Sequence, residues 1–475
     1  MPTKPNFLII MTDQQRGDAL SIEDHPVLLT PNMDTIAAQG VRFAHAYSTC
    51  PACIPARRSL MSGQFPATHG MVGMVDGCEW NPAATLPGEL RKAGYHTQIV
   101  GRSMHQFPRR KRFGFDHMVL SGDVHPDDVV EHLPAHGVEP SWSHGLPANG
   151  WTSRPWHLDD NLHPSNRTVD DAIRFLNRRD PSCPFLLVAN FAAPHPPLYP
   201  PAFYLDRYLR LDLPEPEIGG WAIRPENDGK GLSINSPTCC LEGEALRSCR
   251  AGYYGLINHL DDQIYRLITP PFGGMDRETA QNTVIIFIAD HGEMLGDHHM
   301  FRKSRAYEAS ARIPFLIQAP AWMGLTSGQV RHEAVCLEDV MPTVLELAGI
   351  DVPESVDGSS LLTLLGNEEA DRFRPFIHGE NAANDPDLGH HYLTDGHSKY
   401  IWFSQTGREQ LFDLDNDPNE CVDLTLKPEQ AHNLEEWRER LVAELAGRQE
   451  GFTDGTQLFV GRPCPRTLDH VGGIA

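Results

Sequence analysis

Residues 53 to 63 read Cys53-Ile54-Pro55-Ala56-Arg57-Arg58-Ser59-Leu60-Met61-Ser62-Gly63. Pro55 suits the first turn of a helix, Ala56 to Ser62 can continue it, and Gly63 is placed to end it. Cys53 then stands at the positive end of the helix dipole, where an anionic ligand and a deprotonated nucleophile are both favoured. Arg57 follows about one turn later and can fork onto oxyanion oxygens. Two plainer readings share the stretch. Cys50-Pro51-Ala52-Cys53 is a C-x-x-C redox or metal pattern, and a lone buried cysteine is a common core residue.

On either side of this helix, short apolar runs alternate with helical patterns, which predicts an α/β fold with a large, mostly parallel sheet between helices. Asn6 to Thr12, Thr97 to Val100, Phe185 to Asn190, Val284 to Ala289 and Ile313 to Gln318 read as buried strands. Polar residues follow four of them: Asp13-Gln14, Arg102 with His105, His195, and Asp290-His291. Ligands of open α/β sheets bind beyond the carboxyl ends of the strands, so these groups are expected on one rim. Asp13, Gln14, Asp290 and His291 together offer three oxygen donors and an imidazole, a set suited to a divalent cation. An aspartate at a strand end can equally be a turn residue.

Glu244 to Ile268 has the apolar spacing of a core helix. Leu120 to Ser165, rich in Pro, His, Gly and Trp with Trp142, Trp151 and Trp156, reads as a long insertion: a wall of the substrate pocket or a packed surface excursion. Near Leu365 the pattern changes. Arg374 to His378, His391 to Thr394, His397 to Phe403 and Glu409 to Asp413 read as short strands, and Pro428 to Gly447 as a helix burying Leu434, Trp437, Leu441 and Leu445. The expected organisation is a catalytic domain over 1–368, a smaller α+β subdomain of antiparallel sheet and helix over 369–450, and an irregular tail over 451–475. His378-Gly379-Glu380 and His390-His391 could recognise a sugar or serve ordinary packing.

The 475 residues carry a formal charge of −23, which argues against nucleic acid and anionic membrane surfaces as partners. No run approaches the roughly 20 apolar residues of a membrane span. An acidic protein also repels anionic ligands at long range, so an anion site would need a local basic pocket. The apolar run from Phe7 to Met11 is followed by no small-residue cleavage site, and the ten cysteines fall at irregular spacing. Both point to a reducing, cytoplasmic location. A homo-oligomer is the prior for such a chain.

The pattern C-x-P-x-R-x-x-L-x-x-G at 53–63 resembles the signature of sulfatases, members of the alkaline phosphatase-like superfamily. Further segments are similar: Ala193-Pro194-His195-Pro196-Pro197 to Pro-His-x-Pro, Lys303 through Phe315 to K-x(3)-Y-E-x-S-x-R-x-P-F, and Gly101-Arg102-Ser103-Met104-His105 to Gly-Lys-x-His. The last departs in two ways, with arginine for lysine and one extra residue. Later pieces, Asp339 to Thr343, Ala348 to Ile350, Asp357-Gly358, Lys399 to Trp402 and Leu411 to Glu420, extend the resemblance nearly to the final helix.

The resemblance implies hydrolysis of a sulfate monoester, a sulfated saccharide or an aryl or alkyl sulfate, to alcohol and sulfate. It implies that a maturation enzyme oxidises Cys53 to formylglycine, whose hydrated aldehyde attacks sulfur. It implies one divalent metal held by Asp13, Gln14, the modified Cys53, Asp290 and His291, with calcium the usual ion, manganese credible and zinc conceivable. Arg57 and Lys303 would hold sulfate oxygens, Arg102 would contact substrate, His195 would face the ester oxygen, and His105 would take a proton to release sulfate. Many sulfatases carry Asp-Asp and Asp-Asn where this chain has Asp-Gln and Asp-His. That departure is similar to choline sulfatases and phosphonate monoester hydrolases, so a phosphonate monoester or phosphate diester is the alternative substrate class.

Overall fold

The computed structural model describes residues 4–121, 128, 145–225, 234, 236–270, 274–325, 327–366 and 373–470. Its strands, in chain order, are β1 (Asn6–Asp13), β2 (Val41–Phe43), β3 (Ala46–Tyr47), β4 (His96–Arg102), β5 (His117–Ser121), β6 (Phe185–Pro194) and β7 (Thr283–Ala289). There follow β8 (Phe315–Gln318), β9 (Gln329–Arg331), β10 (Val335–Cys336), β11 (Ile377–Asn381), β12 (His390–Thr394), β13 (Ser398–Phe403) and β14 (Glu409–Asp413). Eight of them form one sheet in the order β5-β4-β6-β1-β7-β8-β2-β9. From β5 to β7 every pairing is parallel, and β8 runs antiparallel to both neighbours.

The apolar run of β1 explains its central place. All eight residues are buried, and alternate side chains enter opposite layers. Phe7, Ile9 and Met11 join a core with Leu60, Leu90 and Val344, while Leu8 and Ile10 join another with Val169, Leu256 and Leu260. Helices Cys53–Ser62, Leu86–Lys92 and Val340–Leu347 thus cover one face, and Pro164–Arg178 and Gly243–Ile268 the other. The expected α/β class with a mostly parallel sheet is observed. No described helix is long and apolar enough to cross a membrane.

Helix Cys53–Ser62 ends where Gly63 takes φ 66, the left-handed conformation that glycine adopts without steric cost. Backbone N–H groups of Asp357 and Gly358 both donate to Gly63 O, so one of the downstream matching segments fastens this helix end.

The four strands β11-β12-β13-β14 form a separate antiparallel sheet. Tyr392, Ile401 and Phe412 on one face pack with Tyr47 and Tyr307, and Tyr400, Trp402 and Leu411 on the other pack with Trp437 and Leu441 of helix Ala431–Glu444 and with Leu445 just past its end. One strand differs from expectation: the segment read at Arg374 to His378 pairs only from Ile377. Arg374 is held instead by Asp339 Oδ1 at 2.5 Å, and Pro375 has no N–H to give a ladder. Similarly, the segment read from Ile313 becomes a strand only at Phe315, because Ile313 N donates to Ala46 O outside the sheet.

Candidate active site

Strands β4, β6, β1 and β7 are adjacent and parallel, so their carboxyl ends share a rim. Asp13 ends β1, Arg102 ends β4, His195 follows β6 and Asp290 follows β7. Helix Cys53–Ser62 presents its first residue to the same place. Gly101, at φ 90, lets β4 close against β6: a Cβ there would lie 2.2 Å from Asn190 O. That approach carries Arg102 to His105 toward the centre.

Cys53 is 1% exposed. Its Sγ lies 3.2 Å from His291 Nε2 and receives a 3.0 Å hydrogen bond from Lys303 Nζ. One ligand atom from each of Asp13, Cys53, Asp290 and His291 can sit within 4.8 Å of the others. His291 Nδ1 donates to Gly292 O at 3.0 Å, which turns Nε2 toward the sulfur and the carboxylates, and against its burial the Asp290 and Cys53 charges raise the pKa of the ring. Asp290 Oδ1 accepts from the backbone N–H of Gln14 at 3.0 Å and of His291 at 2.9 Å. The Gln14 amide works in both directions: Nε2 donates to Glu293 Oε2, and Oε1 accepts from Lys303 Nζ at 2.8 Å.

The resemblance leads one to expect Arg57 on sulfate oxygens. Rather than opening toward substrate, its fully buried guanidinium spans Asp13 Oδ2 at 2.6 Å and Asp290 Oδ2 at 3.0 Å, while Nη1 donates to Ser103 O at 2.8 Å. With its fork closed on two carboxylates it holds the acidic pair in register. Arg102, by contrast, pairs with Asp13 Oδ2 at 2.9 Å and lines the open cavity. His105 adopts φ 52 and its side chain adds a hydrogen bond to the Cys53 sulfur.

The electrostatics follow from burial set against charge. Burial and Asp13 push the Cys53 thiol up, but Lys303, His291 and the His105 hydrogen bond outweigh them and hold it well below its usual range. Burial also opposes ionisation of Asp13, yet Arg102, Arg57 and Lys303 keep it well below the usual carboxylate range. Asp290 is pushed up to about 6 by burial and by the neighbouring Asp13 charge. His195 is driven down to about 3 by burial, Lys303 and Arg102. Its Nδ1 donates to Pro196 O at 2.6 Å, which leaves Nε2 as the free ring nitrogen of a neutral imidazole.

A cavity of about 570 Å³ opens over Cys53, lined by Arg102, His195, Arg302, Lys303, Arg305 and Asn381 among others. The expected basic pocket in an acidic protein is therefore present. From the Pro- and Trp-rich segment, Ala148 and Asn149 reach the cavity, whereas Trp151 and Trp156 pack against Phe301 and Tyr199; Trp142 lies outside the described residues. His378 and His391 bond each other at 3.1 Å, and Glu380 is forked by Arg448, so these serve packing. Cys50 is held by Asn381 and stays a free thiol like the other nine cysteines, which removes the C-x-x-C pairing. Sequence reading missed Glu293, Arg302 and Arg305. Glu293 lies three residues past Asp290, and the two arginines flank the recognised Lys303.

The sulfatase family profile matches residues 5–350. The chain belongs to the sulfatase family. It is an enzyme of that family, and a second profile, described as N-sulphoglucosamine sulphohydrolase, C-terminal, matches residues 296–447. This sulfatase-family chain is 40% identical over 490 residues to an arylsulfatase of Clostridium perfringens (strain 13 / Type A), covering 98% of the chain and 100% of that protein. It is 29% identical over 445 residues to a choline-sulfatase of Rhizobium meliloti (strain 1021), covering 90% and 83%. Its fold superposes on the phosphonate monoester hydrolase of Agrobacterium radiobacter with a TM-score of 0.77 at 23% identity, covering 94% and 96% of the two chains. At that identity the likeness is one of fold.

Proposed function

We propose that the chain hydrolyses a sulfate monoester, a sulfated saccharide or an aryl or alkyl sulfate, through a formylglycine made from Cys53 and with one divalent metal. The observation that carries this is the placement of residue 53: first residue of a helix, under Lys303, His291 and His105, at the floor of a cationic cavity. The aldehyde hydrate supplies a hydroxyl nucleophile where a cysteine or serine could not regenerate itself by elimination.

The donor set fits a cation. Two buried carboxylates crowd each other enough that Asp13 raises Asp290, and His291 turns Nε2 to the same point. An oxygen-rich set with one imidazole suits calcium first, with manganese credible. Asp13, Asp290 and His291 would hold the ion, with Gln14 joining if its Oε1 releases Lys303. When bound, the ion polarises the ester's oxygens.

The remaining work falls to the chain's own groups. Lys303 Nζ, 3.0 Å from the residue 53 side chain, would neutralise a non-bridging oxygen and charge on the departing alcohol. Arg102 would contact the anion from the rim. His195 is neutral in the free protein; a bound anionic ester offsets the fields of Lys303 and Arg102 and raises its basicity, which lets it share a proton at the bridging oxygen. His105, already bonded to the residue 53 side chain, would take the proton that releases sulfate.

The test is protein produced with a maturation enzyme, its Cys53 peptide weighed, and kcat/KM compared for an aryl sulfate and an aryl phosphonate monoester. The sulfate is expected to be preferred, with an aldehyde at position 53. An unmodified thiol in active protein, or a preference for the phosphonate, would overturn the reading. The second substrate class is favoured by one observation: Gln14 and His291 stand where carboxylate and amide donors are usual, so the donor set carries less negative charge.

A further inference from the structure

The cavity over Cys53 carries more positive charge than one sulfate needs. Four cationic side chains line it, Arg102, Arg302, Lys303 and Arg305, against one lining carboxylate, Asp385. Arg102 is engaged with Asp13, and Lys303 with Gln14 and Cys53. Arg305 differs. Its side chain is 7% exposed, and its Nε has no hydrogen-bond partner. Among the described residues no carboxylate lies within ion-pair distance of its guanidinium. Asp385 is exposed and accepts from Asp387 N at 3.2 Å as the cap of a short helical turn.

A guanidinium with no carboxylate beside it keeps only the hydration that the cavity supplies, and burial lowers the pKa of Arg305 accordingly. The nearby groups do not help. His390, on β12, donates from Nδ1 to Leu388 O at 2.9 Å while its Nε2 is without a partner, and burial together with the Arg305 charge keeps that ring neutral. The backbone is firmly placed, since Arg305 N donates to Ser310 Oγ at 3.2 Å, so the side chain is presented to the cavity from a fixed point.

We propose that Arg305 is a specificity-determining residue for a second anionic group of the substrate, so that the preferred ester is a dianion carrying a sulfate or carboxylate besides the sulfate that is cleaved. This rests on the reading of Cys53, Lys303 and the metal residues as the centre that takes the first sulfate. The planar fork of arginine matches either oxyanion in two parallel hydrogen bonds, and the incoming charge supplies the counter-ion that the protein withholds. A neutral aglycone leaves the guanidinium as it is in the free protein, so a monoanionic ester gains nothing from it.

Binding to the full chain with Cys53 unmodified separates this inference from the catalytic reading, because no turnover is required. Isothermal titration calorimetry would compare glucose 6-sulfate with the same sugar bearing a second sulfate at position 2, 3 or 4, and with glucuronate sulfates. At least one dianion is expected to bind about tenfold to hundredfold more tightly than the monosulfate, the span of a charge-assisted hydrogen bond. The sulfate and carboxylate arms say which anion is taken. Arg305→Gln should abolish the preference and leave glucose 6-sulfate within about twofold, while Arg305→Lys, a point charge without the fork, should keep part of it. Equal binding of mono- and dianions to the unaltered chain, or a preference that survives Arg305→Gln, overturns the proposal. The comparison on the unaltered chain decides it even where a variant fails to fold. Loss of glucose 6-sulfate turnover in matured protein would count against the catalytic reading alone.

Discussion

At the level of single residues, Arg57 shows how a matching motif can leave a side chain's task open. Spacing within the helix placed it one turn from Cys53, and that holds. What spacing could not show is that Asp13 and Asp290, 44 and 233 residues away, would both be within its reach. Two buried carboxylates facing one guanidinium form a rigid unit only if both arms of the fork are used. Arg57→Lys keeps the charge and loses one arm. Turnover should fall about a hundredfold, as for other small misplacements of reacting groups, and affinity for added calcium or manganese should weaken about tenfold or more. Initial rates across a metal titration check both, and an unchanged metal midpoint would contradict the positioning role.

Between elements, the joint between β13 and the segment at Glu308 rests on Lys399. Its ammonium is wholly buried, 2.6 Å from Glu308 Oε1 and 3.1 Å from Glu420 Oε1, and donates to Ala306 O at 2.9 Å. Burial and the nearby Glu308 push Glu420 up to about 7, with Lys399 pulling the other way. Removing the cation leaves two mostly buried carboxylates facing each other. Lys399→Met should therefore destabilise the fold by about 3–5 kcal/mol, and Lys399→Met with Glu420→Gln should recover part of that loss. Urea titration followed by fluorescence reads the difference. Lys399 and Glu420 both fall in segments that extend the family resemblance toward the final helix, and this pairing gives those segments a task in holding the fold.

For the molecule as a whole, acid should be the main threat. Outside the candidate site, His25, His45, His69, His259, His298 and His390 are driven down to between about 3 and about 4, burial being the largest cause in each. In the unfolded chain they take protons near 6.5, so the stability they lend is complete above that pH and lost as pH falls toward 4. Asp261 and Glu420, raised to about 7, act in the opposite sense, but two carboxylates do not offset six histidines. The thermal midpoint at pH 5 is expected about 10 °C below that at pH 7.5, and calorimetry in the two buffers would show whether it is. The long apolar strands, the nucleophile helix and the rim positions of Asp13, His195 and Asp290 were legible because each depends on a few neighbouring residues. Three-residue strands such as β2 and β9 are too short for a period to show. Pairings such as Arg374 with Asp339, and the isolation of Arg305, are properties of the packed interior. Cys53, finally, lies almost wholly buried at the floor of a cavity far too small to admit another protein. On the formylglycine reading, a processing enzyme the size of a protein must meet that thiol before the chain closes over it. The yield of working catalyst is then decided by a race between folding and oxidation, and a molecule that folds first keeps its sulfur.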